Sequence, residues 1–198
     1  MSSTEQQYWQ SRYEAQRTGW DIGYPSTPLK TYFDQLENKD LRILIPGAGN
    51  AYEAEYLWQQ GFKQVSVIDI APAPLTAFKA RCPDFPEDQL HLGDFFTHQG
   101  SYDLIIEQTF FCSFHPAPET RKAYAKQMHQ LLKPGGRLVG LWFEFPLTTE
   151  PDKRPYGGTR TEYLAYLRPF FRVHTFAPSY NSIPPRAGKE LFGIFIHP

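Results

Sequence analysis

Short apolar runs that alternate with amphipathic segments constrain the fold of this chain more than any other feature. The runs LRILIP (41–46), QVSVIDI (64–70) and YDLIIEQ (102–108) carry apolar residues on both faces, a pattern typical of strands buried in a parallel sheet. The segments at 51–61 and 118–133 carry apolar residues at helical spacing. This alternation predicts an α/β fold, with a mostly parallel sheet covered by helices on both faces.

Six helices and seven strands follow from these patterns and from the residues that punctuate them. The predicted helices cover 5–16, 29–37, 51–61, 73–81, 118–133 and 161–169, and the predicted strands cover 41–46, 64–70, 89–93, 102–108, 137–145, 171–177 and 190–197. The Pro134-Gly135-Gly136 sequence is expected to end the longest helix. Residues 146–159 are expected to form a long surface loop. Only a loop separates the last two strands, which predicts an antiparallel hairpin at one edge.

The balance of charge argues against several kinds of partner. The 198 residues include 20 Lys plus Arg and 21 Asp plus Glu, a net charge of −1 without a block of like charge. Such a chain offers no electrostatic footprint for nucleic acid or an anionic membrane. Its apolar runs are shorter than the roughly 20 residues that cross a bilayer, and its polar N-terminus lacks the features of a secretory signal. We therefore expect a cytoplasmic monomer that binds neither nucleic acid nor membrane.

Cysteine and histidine usage argues against a metal site. Cys82 and Cys112 are the only cysteines, and the six histidines form no HxxxH or HxH pair. Neither a disulfide framework nor a zinc site is expected from this pattern. Cys112 follows two phenylalanines, which favours a buried and unreactive thiol over a nucleophile.

The segment IPGAGNAYEAE predicts a nucleoside-binding site. Gly47 and Gly49 turn the chain between the first strand and a helix, where the backbone approaches a ligand closely and unpaired N–H groups are available. Asp69 follows Gly49 by twenty residues and ends the second strand, where a carboxylate accepts bonds from ribose hydroxyls. A dinucleotide site would favour glycine at Tyr52 and would need a second domain. S-adenosylmethionine therefore fits better than a nicotinamide cofactor, although an oxidoreductase stays open as a distant alternative.

Longer motifs resemble a known family. They are YWQSRYEAQRTGWDIG, LIPGAGNAYEAEYL, GDFF, EQTFFCSFHPAPETRKAYAKQMHQLLKPGGRL and SIPPRAGKE, in this order over nearly the whole chain. The sequence resembles the class I S-adenosylmethionine-dependent methyltransferases of the thiopurine S-methyltransferase family, especially the branch that methylates thiols, thiocyanate and halides. The resemblance implies a Rossmann-like, seven-stranded sheet with an antiparallel last strand. It also implies one domain over 1–198, with an N-terminal cap at 1–28.

The resemblance also implies roles for residues on the cofactor side. Gly47 and Gly49 would line the methionine part of S-adenosylmethionine, Asp69 would hold the ribose, and Asp94 with Phe95 would lie beside the adenine.

On the acceptor side, the resemblance implies a pocket formed by Trp9, Trp20 and Tyr156, with Trp20 also against the cofactor. The alternative for the two tryptophans is that they only staple the first helix to the core, and the alternative for Tyr156 is that it only covers the sheet edge. Glu107 ends the fourth strand, so its carboxylate is expected at the ligand edge, near a sulfonium, or else as a capping acid. Tyr156 and Glu107 are the candidate catalytic residues.

The sequence thus predicts an S-adenosylmethionine-dependent methyltransferase. The expected acceptor is a small soft nucleophile, such as a thiol, hydrosulfide, thiocyanate or a halide, methylated by in-line displacement. An aromatic thiol or thiopurine acceptor is the first alternative. A non-catalytic S-adenosylmethionine-binding module is the second.

Overall fold

Seven strands form one sheet in the computed structural model of the protein, which describes residues 3–148, 150 and 154–198. They are β1 (Ile43–Pro46), β2 (Val65–Asp69), β3 (Leu90–Leu92), β4 (Tyr102–Gln108), β5 (Leu132–Phe143), β6 (Arg172–Pro178) and β7 (Glu190–Ile196). Their order is β3-β2-β1-β4-β5-β7-β6, and β7 runs antiparallel to both of its neighbours. The predicted fold, with an antiparallel last strand and a terminal hairpin, is confirmed.

Six helices accompany the sheet: α1 (Ser3–Glu14), α2 (Thr27–Phe33), α3 (Tyr52–Gln59), α4 (Pro72–Arg81), α5 (Pro118–Leu131) and α6 (Arg160–Leu167). Residues of α2, α3 and α4 pack on one face, and residues of α5 and α6 pack on the other. Neighbouring residues of β4 alternate between these layers, since Ile105 joins the α5 side and Ile106 the α3 side. The strand runs are therefore apolar throughout because helices cover both faces.

The Pro134-Gly135-Gly136 sequence differs from its predicted role. The longest helix does end before it, but β5 begins at once and contains all three residues. Tyr102 of β4 pairs with Leu132, whereas Leu104 pairs with Arg137, so the extra residues form a bulge. Gly135 has a φ of +77°. The N–H of Gly135 donates to the carbonyl of His197. Pro134-Gly135-Gly136 therefore forms a bulge within β5, and this part of β5 also bonds to the backbone near the C-terminus.

The segment after β5 folds back along the end of that strand. Phe145 and Gly158 form an antiparallel bridge, and the Tyr156 N–H donates to the Cys112 carbonyl at 2.8 Å. These contacts place residues 154–156 against the carboxyl edge of the sheet. Other parts of the predicted 146–159 loop, residues 149 and 151–153, lie outside the described residues.

Two searches of the described residues concern membranes and metals. None of their helices combines the length and hydropathy that a bilayer span requires. Nor do three or more His, Cys, Asp or Glu side chains of the described part cluster as metal ligands would.

Gly193 of β7 provides a test of the packing of aromatic rings from β5, β6 and β7. A Cβ atom there would lie 2.6 Å from the ring of Phe195, 2.8 Å from that of Trp142 and 2.9 Å from that of Phe176. We expect Gly193→Ala to lower the free energy of unfolding by about 1–3 kcal/mol in urea denaturation, because buried rings must move. Gly19→Ala, which meets nothing within 4 Å, is the matched control. Equal stability of the two variants would contradict this packing.

Candidate functional site

A cavity of about 540 Å³ opens at the carboxyl edge of the sheet, the size of a typical small-molecule site. One part of its wall comes from the ends of β1 and β2 and from the turn after β3. Another part comes from the segments that follow β4 and β5, together with Pro185 and Arg186. Helix α1 and the residues up to Trp20 complete the wall. The cavity therefore lies where open α/β sheets bind their ligands.

The turn after β1 depends on two glycines. Gly47 and Gly49 adopt φ values of +59° and +52°, in the left-handed region. A Cβ atom on Gly47 would lie 2.0 Å from the ring of Phe110, and one on Gly49 would lie 2.7 Å from the hydroxyl of Tyr13. Gly47 borders the large cavity, and both glycines border a smaller adjoining one. Because neither glycine has a side chain, the backbone of this turn lies directly at the cavity wall.

Asp69 lies at the end of β2 with its carboxylate buried at the cavity wall. One carboxylate oxygen accepts the N–H of Gly49 at 2.8 Å, and the other accepts the N–H of Ala71 at 2.9 Å. Burial raises the pKa of Asp69 above its usual value, against the opposing effect of these N–H donors. Asp69 therefore ties the glycine turn to β2, and each of its oxygens retains a further lone pair for a ligand hydroxyl.

The turn after β3 contributes Phe95, which lines the cavity and is buried among other rings. Its centroid lies 5.2 Å from that of Phe110 and 5.9 Å from that of Tyr124. The carboxylate of Asp94 accepts the N–H of Phe96 at 2.9 Å and so holds this turn. The turn that is predicted to contact adenine therefore presents an apolar ring to the cavity, and the Asp94 carboxylate holds the backbone of this turn.

Trp9 and Trp20 both line the cavity. Their ring centroids lie 5.4 Å apart at an interplanar angle of 84°, and Tyr13 packs on Trp20 at 5.7 Å. Helix α1 is held to the body by polar contacts as well, because Gln6 donates to the Ile70 carbonyl and Gln10 accepts the Ala73 N–H. The two tryptophans therefore staple α1 to the fold and also border the ligand space.

Glu107 does not reach the cavity, which corrects the expectation from the sequence. Its side chain is 0% exposed, one oxygen accepts the N–H groups of Phe110 and Phe111, and the other accepts the hydroxyl of Tyr124. Burial raises the pKa of Glu107 to about 7, although these donors oppose the rise. Glu107 faces α5 because it shares the strand face of Ile105. It supports the loop after β4 and acts as a capping acid.

Tyr156 is likewise buried, at 2% exposed, and is not among the residues that line the cavity. Its ring packs edge-on against His115 at 5.6 Å. The residues just before it, Arg154 and Pro155, do line the cavity. The segment that contains Tyr156 therefore reaches the cavity through Arg154 and Pro155 and not through the tyrosine itself.

Comparison with known proteins identifies the family. The model of the thiopurine S-methyltransferase family matches residues 4–195. The chain belongs to the thiopurine S-methyltransferase family. The predicted S-adenosylmethionine-dependent methyltransferase is thereby confirmed, and family membership decides against the oxidoreductase and the non-catalytic binding module.

Named relatives within the family differ in their acceptors. The chain is 29% identical to a probable thiol methyltransferase 2 of Arabidopsis thaliana, over 98% of this chain and 86% of that protein. It is 30% identical to thiocyanate methyltransferase 1 of Brassica oleracea, over 96% and 85% of the two chains. It is 24% identical to a thiopurine S-methyltransferase of Vibrio campbellii, over 72% of each.

Solved structures share the fold at low identity. A 1,6-didemethyltoxoflavin-N1-methyltransferase of Burkholderia thailandensis, crystallised with S-adenosylhomocysteine, matches with a TM-score of 0.77 and 17% identity, over 98% of this chain and 88% of that one. A magnesium protoporphyrin IX methyltransferase of Synechocystis with bound S-adenosylmethionine matches with a TM-score of 0.73 and 15% identity, over 99% and 96%.

Sequence reasoning missed the basic side chains of this methyltransferase site. Four arginines line the cavity: Arg12, Arg17, Arg154 and Arg186. Arg186 belongs to the SIPPRAGKE motif, and it donates to the Trp20 carbonyl and to the Glu190 carboxylate. Arg154 immediately precedes the Pro155-Tyr156 pair. For Arg12, Arg17 and Arg186, their positions in the family motifs were the available signal. Their convergence depends on contacts between distant parts of the chain.

If Asp69 binds the ribose as predicted, Asp69→Asn should weaken the affinity for S-adenosylhomocysteine by roughly 1.5–3 kcal/mol, because a charged hydrogen-bond acceptor is lost. Calorimetric titration of the purified variant measures this change. Asp103→Asn is the matched control, since Asp103 pairs with Lys133 near the start of β4, at the opposite edge. Wild-type affinity in Asp69→Asn would remove Asp69 from the ribose site.

Glu107→Gln should change the pH dependence of stability. The folded pKa of about 7 exceeds the ordinary value of 4.5, so the folded state binds more protons between these values. The stability that wild type has over the variant is therefore fully present below pH 4.5. It falls by about 3 kcal/mol as the pH rises through 7. Urea unfolding of both proteins from pH 5 to 8 measures the difference. A constant difference over this range would contradict the raised pKa.

Proposed function

We propose that this enzyme transfers a methyl group to a small soft nucleophile that reacts as an anion, such as hydrosulfide, thiocyanate, a small thiolate or a halide. The observation that carries the proposal is the charge of the cavity wall. Four arginines line it, whereas Asp69, which we assign to the ribose, is the single carboxylate among the described lining residues. A cavity wall that carries arginines and aromatic rings favours entry of an anion over a neutral or cationic acceptor.

The cavity holds no obvious base that would activate a neutral acceptor. Its described lining residues include no His, Lys or Glu. Cys112 does line it, but burial and the nearby Glu107 carboxyl raise the pKa of this thiol well above its usual value. A covalent role for Cys112 is therefore not supported, because the thiolate is the nucleophilic form. An acceptor that is already anionic needs no proton transfer.

The residues present fit S-adenosylmethionine. We propose that Gly47 and Gly49 receive the methionine part, that Asp69 binds the ribose, and that Phe95 lies against the adenine with Asp94 holding its turn. When bound, the cofactor supplies a methyl group on a sulfonium, whose C–S bonding pair stays with the sulfur as the acceptor's electron pair forms the new bond. The protein's part is to hold the acceptor in line and to exclude water.

We propose that Trp9 and Trp20 exclude this water and form the acceptor wall, with residues 1–28 acting as a cap on a single domain. Both rings border the cavity, and α1 is joined to the sheet mainly through side-chain contacts near Ile70 and Ala73. A dry site accelerates reactions in which opposite charges cancel, because water stabilises the separated charges more than the transition state. We propose that Tyr156, buried behind this wall, acts through its neighbour Arg154.

The aromatic walls also favour a second candidate, an aromatic thiol held by stacking. Trp9, Trp20 and Phe110 present rings to the cavity, and such rings bind flat ligands well. This alternative needs the same cofactor site and differs only in the acceptor.

An acceptor screen with methyl-labelled S-adenosylmethionine tests the function. We expect hydrosulfide, thiocyanate or iodide to be methylated with a kcat/KM at least tenfold above that of thiophenol or 6-mercaptopurine, since the arginines favour compact anions. Asp69→Asn, assayed at the same cofactor concentration, is the control for cofactor-dependent turnover. A preference for the aromatic thiols would establish the second candidate instead.

A further inference from the structure

Arg154 has buried guanidinium N–H groups at the cavity that lack a hydrogen-bond partner in the described part of the chain. Its Nη2 donates to the Glu5 carboxylate at 2.8 Å. Its Nε and Nη1 are shielded from solvent, and neither meets a hydrogen-bond acceptor among the described residues. The side chain is only 15% exposed. Buried guanidinium N–H groups without acceptors are unfavourable, so such a group in a native site calls for an explanation.

Aromatic rings surround this guanidinium and fix its place. Its central carbon lies 4.4 Å from the ring centroid of Tyr8, 5.1 Å from that of Trp9 and 6.0 Å from that of Tyr156. Rings stabilise a cation through their faces, but they leave most of its N–H groups unbonded. The arrangement orients Arg154 at the cavity wall while leaving donors for another group.

The other arginines at the cavity differ from Arg154. Arg186 donates to Trp20 and Glu190. Arg12 donates to the Tyr8 hydroxyl at 2.9 Å and lies 5.1 Å from its ring. Arg17 belongs to the same N-terminal part of the wall as Arg12. Arg154 instead follows β5, on the side of the sheet order away from Asp69 at the end of β2. Its position relative to the strands favours a role with the acceptor over one with the ribose.

We infer that Arg154 is the specificity-determining residue that binds the negative charge of the acceptor, with Tyr8, Trp9 and Tyr156 holding it in place. The inference rests on the proposed function and names the class of acceptor as a compact monovalent anion. A guanidinium suits this role because it stays charged, is weakly hydrated and donates several hydrogen bonds. Methyl transfer to such an anion gives a neutral product, which loses its attraction to Arg154. Recognition of the anion and release of the product then depend on the same charge.

The experiment compares Arg154→Met, Arg154→Lys and the charge-matched surface control Arg168→Met, whose side chain is exposed at the end of α6. Thiocyanate is titrated by calorimetry into each protein saturated with S-adenosylhomocysteine. The dissociation constant of S-adenosylhomocysteine alone is measured in parallel. KM and kcat for thiocyanate and hydrosulfide complete the comparison.

We expect Arg154→Met to raise the thiocyanate dissociation constant and KM at least tenfold, with Arg154→Lys intermediate and Arg168→Met at the wild-type value. S-adenosylhomocysteine affinity should stay within twofold, which also shows that the variants are folded. Unchanged thiocyanate binding in Arg154→Met would overturn the inference. So would an equal loss of S-adenosylhomocysteine affinity, which would assign Arg154 to the cofactor.

The same measurements separate this inference from the proposed function. Wild-type protein that binds thiocyanate through Arg154 but methylates no soft anion would support the anion site and contradict the proposed reaction. Methylation of soft anions by Arg154→Met at the wild-type rate would support the reaction and contradict the assignment of Arg154.

Discussion

The buried carboxyl group of Glu107 holds together the half of the site that follows β4. It accepts the N–H groups of Phe110 and Phe111 and the hydroxyl of Tyr124, so it joins the end of β4, the following loop and helix α5. Gly140 of β5 packs against it so closely that a Cβ atom there would lie 2.3 Å from that of Glu107. The loop that Glu107 fixes then presents the Cys112 carbonyl, which accepts the N–H of Tyr156. The placement of Arg154 therefore depends, through successive contacts, on one internal acid.

Asp69 has the corresponding role in the cofactor half, and the two acids show why burial need not mean catalysis. Each is deeply buried, each accepts two backbone N–H groups, and the pKa of each is raised by burial. They differ in that Asp69 borders the cavity and Glu107 does not. A raised pKa is one of the usual signs of a catalytic acid. By that sign alone, Glu107 would be a catalytic candidate, as it also was from its position at a strand end. Access to the ligand space is the criterion that separates structural from functional acids here.

The sheet could be predicted from the sequence because strand and helix periodicities are local. The glycine turn and Asp69 were predictable for a similar reason, since their spacing follows from one strand–helix–strand unit. The bulge at Pro134-Gly135-Gly136 was not, because it depends on pairing with β4 and with His197. The orientation of Glu107 could be predicted from the alternation of side chains along a strand. Glu107 follows Ile106 and therefore lies on the same face as Ile105, which α5 covers. The direction of the Arg154 side chain could not be predicted from the sequence, because an irregular loop has no periodicity.

The division of the site between regular and irregular elements has a functional consequence. The residues assigned to the cofactor lie at or directly after β1, β2 and β3, where the hydrogen bonds of the sheet fix the backbone. The proposed acceptor wall instead comes from α1, from the loop after β4 and from the segment after β5. Loops on a rigid scaffold change without disturbing the core, so under this proposal acceptor choice is free to vary while the cofactor site persists. Such an arrangement agrees with relatives that are named for thiols, thiocyanate and thiopurines. Under the proposed assignment of Arg154, the basis of acceptor choice lies in side chains outside the regular elements.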